Sequence, residues 1–267
     1  MKRYVIEKLG AVVRYHLLND MYIPRTMGLA PDIGKNKAHV EVFLFKDGDG
    51  LVERISLGRA SRSVQGVAGG CSYFEGINVP ASRYFNFFEE SLNEEYVFNR
   101  ALVMSFAVYQ DVLQSIFLHC AAAAKGGDAF LFVAPSGGGK TTISRIAADR
   151  GFTVLDDEAC VVRRDRGVYR VSAFPFRHYT AESGGMSVKG IYFLEKAREE
   201  FFSGISVLEA MKRGIPEATC LYKNLIPVDQ VPVKASHVFS FMEKMIREVD
   251  TGILGFSPGG EVMKCLG

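Results

Sequence analysis

Residues 129–142 read Ala129-Phe130-Leu131-Phe132-Val133-Ala134-Pro135-Ser136-Gly137-Gly138-Gly139-Lys140-Thr141-Thr142. Ala129 to Val133 is an apolar strand, residues 134–139 are a turn of small residues, and a helix begins near Lys140. A strand that enters a glycine-rich turn and leaves as a helix is the context in which G-x-x-x-x-G-K-[ST] holds phosphate. Residues 134–141 match that pattern except that Ala134 stands at the first glycine. Backbone N–H groups curled around small residues form a concave anion site, and the helix adds its positive end. Gly137, Gly138 and Gly139 permit backbone angles that a β-carbon penalises. Lys140 can reach the β- and γ-phosphates, and the Thr141 hydroxyl can ligate Mg²⁺. The stretch predicts a nucleoside triphosphate site with Mg²⁺, formed by Ser136, Gly137, Gly138, Gly139, Lys140, Thr141 and Thr142.

Working outward, a helix to about Arg150 is stopped by Gly151. Phe152 to Leu155 is then a short buried strand ending at Asp156-Asp157-Glu158. Adjacent carboxylates repel unless a cation or a proton intervenes. One of Asp156 and Asp157 can hold Mg²⁺ beside Thr141, and the other can take the proton of an attacking hydroxyl. Upstream, Ile116 to Ala123 reads as a strand carrying His119, joined by the tight turn Lys125-Gly126-Gly127-Asp128 to the strand that enters the glycine turn. A lone strand histidine is more often packed in a core than catalytic. If the strands are neighbours, its imidazole approaches Asp156.

Farther out, Ala159 to Arg163 and Val168 to Ser172 form a hairpin around Asp165-Arg166-Gly167. The arginines Arg163, Arg164, Arg166 and Arg170 read as its solvated face, with docking of an acidic partner as the alternative. Phe176 to Ser187, with Arg177 and His178, reads as a loop able to cover a site. Val188 to Leu194 is a strand, Val207 to Arg213 and Ser236 to Val249 are helices, and Thr251 to Leu266 is a short hairpin. In the first third, Ala38 to Phe45 and Leu51 to Leu57 alternate around Lys46-Asp47-Gly48-Asp49-Gly50 and form a hairpin. Arg59 to Gly70 reads as a loop and Glu89 to Gln114 as a helix. The expected division is a β-rich region, 1–88, and a nucleotide-binding domain, 89–267.

With 48% hydrophobic and 23% charged residues among 267, the composition is that of a globular protein. A net charge of +2 gives no reason to expect nucleic acid or membrane as partner. The five cysteines, Cys71, Cys120, Cys160, Cys220 and Cys265, show neither zinc spacing nor a disulfide framework. Charges interrupt the N-terminus before any apolar run of signal length, so a cytoplasmic location is expected.

Leu118-His119, the hairpin, the glycine turn, a short helix, a glycine and Asp156-Asp157 together resemble the catalytic core of HPr kinase/phosphorylase, within the phosphoenolpyruvate carboxykinase-like group. The resemblance spans about residues 116–163, weakens to 194 and does not reach the first hundred. It implies an α/β (mixed α+β) P-loop kinase core behind a β-rich N-terminal region. It also implies a kinase that transfers the γ-phosphoryl group of ATP to a serine of a protein or peptide. In that reading Lys140 and Thr141 serve the phosphates and Mg²⁺, Asp156 is the base, Asp157 assists the metal and His119 supports the base. A homo-oligomer is compatible with it. The glutamate that the bacterial enzymes carry before Arg-Gly-Leu-Gly is absent, since Ser187-Val188-Lys189-Gly190 stands there. A small-molecule kinase and a nucleotide-binding regulator are the competing readings. A GTPase switch is disfavoured, because Lys223-Asn224-Leu225 is not the guanine motif.

Overall fold

The computed structural model describes residues 2–8, 11–17, 30–31, 40–47, 50–57, 60–66, 110, 114–173, 185–225 and 235–257. The chain forms two compact units, Met1–Val108 with Leu225–Pro232 and Tyr109–Asn224 with Val233–Gly267. The loop expected from Phe176, most of the helix from Glu89 and the end of the hairpin through Pro258 lie largely outside the described residues.

The first unit holds a six-stranded sheet: β1 (Lys2–Lys8), β2 (Ala11–Leu17), β3 (Ala30–Pro31), β4 (Val40–Asp47), β5 (Gly50–Leu57) and β6 (Ala60–Gly66), in the order β3-β1-β2-β4-β5-β6. The expected hairpin is β4 with β5, closed where Asp47 faces Gly50. Arg59 to Gly70, read as a loop from its small polar residues, instead supplies β6. It pairs with β5 from Leu57↔Ala60 to Leu51↔Gly66. An available strand edge outweighed composition there.

The second unit holds β7 (Ser115–Leu118), β8 (Cys120–Lys125), β9 (Asp128–Val133), β10 (Thr153–Asp156), β11 (Cys160–Asp165), β12 (Val168–Ala173), β13 (Met186–Lys196), β14 (Phe201–Gly204) and β15 (Asp250–Phe256). Its helices are α1 (Lys140–Asp149), α2 (Val207–Leu225) and α3 (Ala235–Glu248). The nine strands make one mixed sheet in the order β10-β8-β9-β13-β12-β11-β7, with β15 on β13 and β14 on β15. This corrects the expected fold class. The described part is strand-rich, and its mixed nine-stranded sheet replaces the α/β P-loop kinase core that the resemblance implied. The cause is local. The β8–β9 turn has Gly126 and Gly127 at φ 63° and 93°, and the β11–β12 turn has Arg166 and Gly167 at 49° and 86°. Two consecutive positive φ values suit tight two-residue hairpins, which keep successive strands antiparallel. Among the described residues of this sheet, β9–β13 and β13–β15 pair in parallel and the other pairs are antiparallel.

The expected strand from Ile116 is cut in two at His119. Its halves part: β7 pairs with β11, while β8 pairs with β9 and β10. They lie near opposite ends of the strand order, yet one residue joins them, so the sheet curls back on itself and His119 sits at the seam. Both faces of the sheet are covered. Leu131 and Val133 pack with Ala218 of α2 and Met242 and Met245 of α3. Phe130 and Phe132, alternating with them, pack with Ile143 and Ile146 of α1. This explains why these strands read as continuous apolar runs.

Helix α2 extends twelve residues beyond its expected end at Arg213. A Cβ at Gly214 would come within 2.5 Å of Met242, so this glycine marks tight helix packing and not a helix end. Pro216 removes one backbone donor but leaves the helix continuous.

Candidate functional site

One edge of the curled sheet gathers several strand ends. β9 and β10 both run antiparallel to β8, and β13 and β15 run parallel to β9. The C-terminal ends of all four therefore point to one side, where β8 begins. A cleft of about 460 Å³ opens there, lined by His119, Ser136, Gly137, Gly139, Lys140, Thr141, Thr142, Asp157, Glu158 and Lys196.

The turn is built by its small residues. Gly137 and Gly139 have φ of 76° and 105°. Gly139 also faces the Phe256 ring, which a Cβ would approach to 2.3 Å. At Gly138 a Cβ would lie 2.6 Å from the Ala134 methyl and 2.9 Å from the Pro135 carbonyl oxygen. Ala134 is buried and is not among the non-glycine residues with positive φ, so its departure from the pattern fits the turn. The Gly138 N–H donates to Pro135 O at 2.9 Å and closes the turn. Gly139 caps α1 without a side-chain acceptor for the amides of the first turn. Those amides are the donors that a helix start offers to an anion.

Lys140 is 7% exposed and its Nζ donates to Ala134 O at 2.8 Å and Pro135 O at 3.2 Å. Burial pushes its ammonium below the ordinary lysine value, and the nearby Glu217 carboxylate opposes that shift. The Thr141 hydroxyl donates to Asp157 Oδ2 at 3.3 Å. A hydroxyl and a carboxylate oxygen side by side at an open cleft are hard donors of the kind that bind Mg²⁺ with its remaining waters.

Asp156 and Asp157 part company. Asp157 lines the cleft, whereas Asp156 is 1% exposed and does not. Its Oδ1 accepts from the amides of Glu158 at 2.9 Å and Ala159 at 3.1 Å, so it shapes the turn that presents Asp157. Gly138 is likewise not among the residues that line the cleft.

His119 is not a ladder residue. Its backbone N–H donates to Glu217 O at 3.0 Å, and its Nδ1 lies 2.5 Å from Glu217 Oε2. With Nδ1 held by the carboxylate, Nε2 is the other ring nitrogen of a residue that lines the cleft. Cys220, one helical turn after Glu217, completes a cluster whose ligand atoms lie within 4.8 Å of one another.

The sequence missed Glu217, Cys220 and Lys196. The first two lie beyond the expected helix end at Arg213, and i, i+3 spacing on a continued helix would have paired them. Lys196 lies two residues past the expected end of its strand.

A family model described as SynChlorMet cassette protein ScmC matches residues 89–212, less than half of the chain. The span contains His119, the glycine turn and Asp156-Asp157 and ends before Glu217. None of the curated proteins matches the chain. The matching family thus corrects the resemblance to HPr kinase/phosphorylase. That resemblance rested on a few short features, which specify local geometry and not a whole fold.

Proposed function

We propose that this chain is an ATP- and Mg²⁺-dependent phosphotransferase acting on a hydroxyl, with serine of a protein or peptide as the acceptor class. The observation that carries the reading is the Thr141–Asp157 oxygen pair in the cleft that Lys140 and the glycine turn also line. The turn amides and Lys140 take the triphosphate, and Thr141 and Asp157 hold Mg²⁺. When bound, Mg²⁺ neutralises charge on the β- and γ-phosphates. His119 takes the acceptor proton at Nε2, and Glu217 fixes the tautomer through Nδ1. Asp156 positions Asp157 by holding the Glu158 and Ala159 amides.

The test is thiophosphate transfer in native lysate, followed by mass spectrometry of labelled serines. Wild type labels a serine, and Asp157→Asn lowers the labelling at least about a hundredfold, the range expected when charge stabilisation is removed. Equal labelling by the variant would overturn the role of Asp157. ATP binding without transfer would favour a nucleotide-binding regulator, and a labelled metabolite would favour a small-molecule kinase.

Lys140 adds a pH signature. In the unliganded chain its charged form is disfavoured, so the ammonium is lost at a lower pH than in an ordinary lysine. Mg–ATP affinity measured by calorimetry is therefore expected to fall as pH rises toward the lysine range, beginning below the usual lysine pKa. Lys140→Arg, which keeps its charge throughout, should show no such fall.

A further inference from the structure

The mechanism above uses His119 and Glu217 but gives no role to Cys220, which lies beside them. Cys220 shares a helix face with Glu217, and His119 meets them from the seam between β7 and β8. Glu217 is buried, and His119 and Cys220 are partly exposed. Thiolate, imidazole and carboxylate are the ligand types of a zinc-class ion. They differ from the hydroxyl and carboxylate oxygens of Thr141 and Asp157, so one molecule presents a soft and a hard cation site around one cleft.

We propose that His119, Glu217 and Cys220 form a binding site for a thiophilic divalent cation of the zinc class, distinct from the Mg²⁺ site. Ligand atoms of a tetrahedral zinc stand roughly 3.3–3.6 Å apart, from bonds of about 2.0–2.3 Å. The three atoms here already lie within 4.8 Å, and Nδ1 and Oε2 stand 2.5 Å apart. Side-chain rotations of about 1 Å open the one spacing and close the others. The three ligands leave a fourth position for water. Binding expels the Cys220 thiol proton, and the imidazole proton moves from Nδ1 to Nε2. The second step bears on the phosphotransferase reading: with Nε2 protonated, His119 has no lone pair for an acceptor proton. Occupancy of the soft site therefore switches transfer off, and this consequence, unlike the binding itself, rests on that reading.

The test uses the full chain, reduced and freed of metal, titrated with Co²⁺ and then Zn²⁺ in excess Mg²⁺. Wild type should bind one equivalent of Co²⁺ and show a thiolate-to-cobalt charge-transfer band in the near ultraviolet, which Zn²⁺ abolishes. Cys220→Ser should lose the band, and His119→Ala should weaken binding at least about tenfold, as loss of one ligand implies. Glu217→Gln, which retains a hydrogen-bonding partner for His119, separates ligation from folding: circular dichroism stays native while binding weakens. A charge-transfer band that survives Cys220→Ser, or Co²⁺ affinity unchanged in His119→Ala and Glu217→Gln, would overturn the site. Zinc that binds through all three residues yet leaves thiophosphate transfer unaltered confirms the site and removes His119 as the proton acceptor.

Discussion

Lys140→Ala is expected to lower affinity for Mg–ATP about a hundredfold, equivalent to about 2.7 kcal/mol. Two contributions combine. The side chain supplies the one ammonium buried within the turn, and it ties down the Ala134 and Pro135 carbonyls that shape the entry. Removing it takes a positive charge from the proposed phosphate site and leaves those carbonyls without this donor. Calorimetric titration with Mg–ATP reads the loss directly. Lys140→Arg should recover only part of it, since a planar guanidinium does not replace a compact ammonium in a turn this tight. Unchanged affinity in Lys140→Ala would remove the turn from nucleotide binding.

The second large effect lies one residue earlier. Gly139→Ala is expected to destabilise the second unit by about 2–4 kcal/mol, combining backbone strain with overpacking. The φ of 105° is one that L residues rarely adopt. The new methyl would also meet Phe256, a ring buried at the end of β15, at 2.3 Å. Chemical denaturation reads the change. Phe256→Ala in the same background should relieve the clash but not the strain, so recovery should be partial. The paired variants separate the two costs, provided the cavity left by the phenyl is measured in Phe256→Ala alone.

The sequence made the strand, glycine turn and helix around residues 129–149 legible, because each depends on neighbours within one or two turns. The hairpins at Gly126-Gly127 and Arg166-Gly167 were legible for the same reason. The fold class was not. Whether β7 and β8 stay together is decided by β11, more than forty residues away, and no local pattern encodes it. The site divides along the same line. His119 was visible, but its partner Glu217 lies 98 residues on, behind a proline that normally ends a helix. Asp156 and Asp157 are indistinguishable in sequence; a single hydrogen-bonded turn buries the first and leaves the second in the cleft.

The joint at His119 has a kinetic consequence. A clasp between residues 98 positions apart closes a long loop, and such contacts form late because the chain must first lose the entropy of that loop. The glycine turn can take shape as soon as β9 and α1 have formed. The imidazole, by contrast, is oriented only after α2 has docked. During synthesis the glycine turn therefore precedes the His119–Glu217 clasp, and the cleft lining is complete only once α2 has docked.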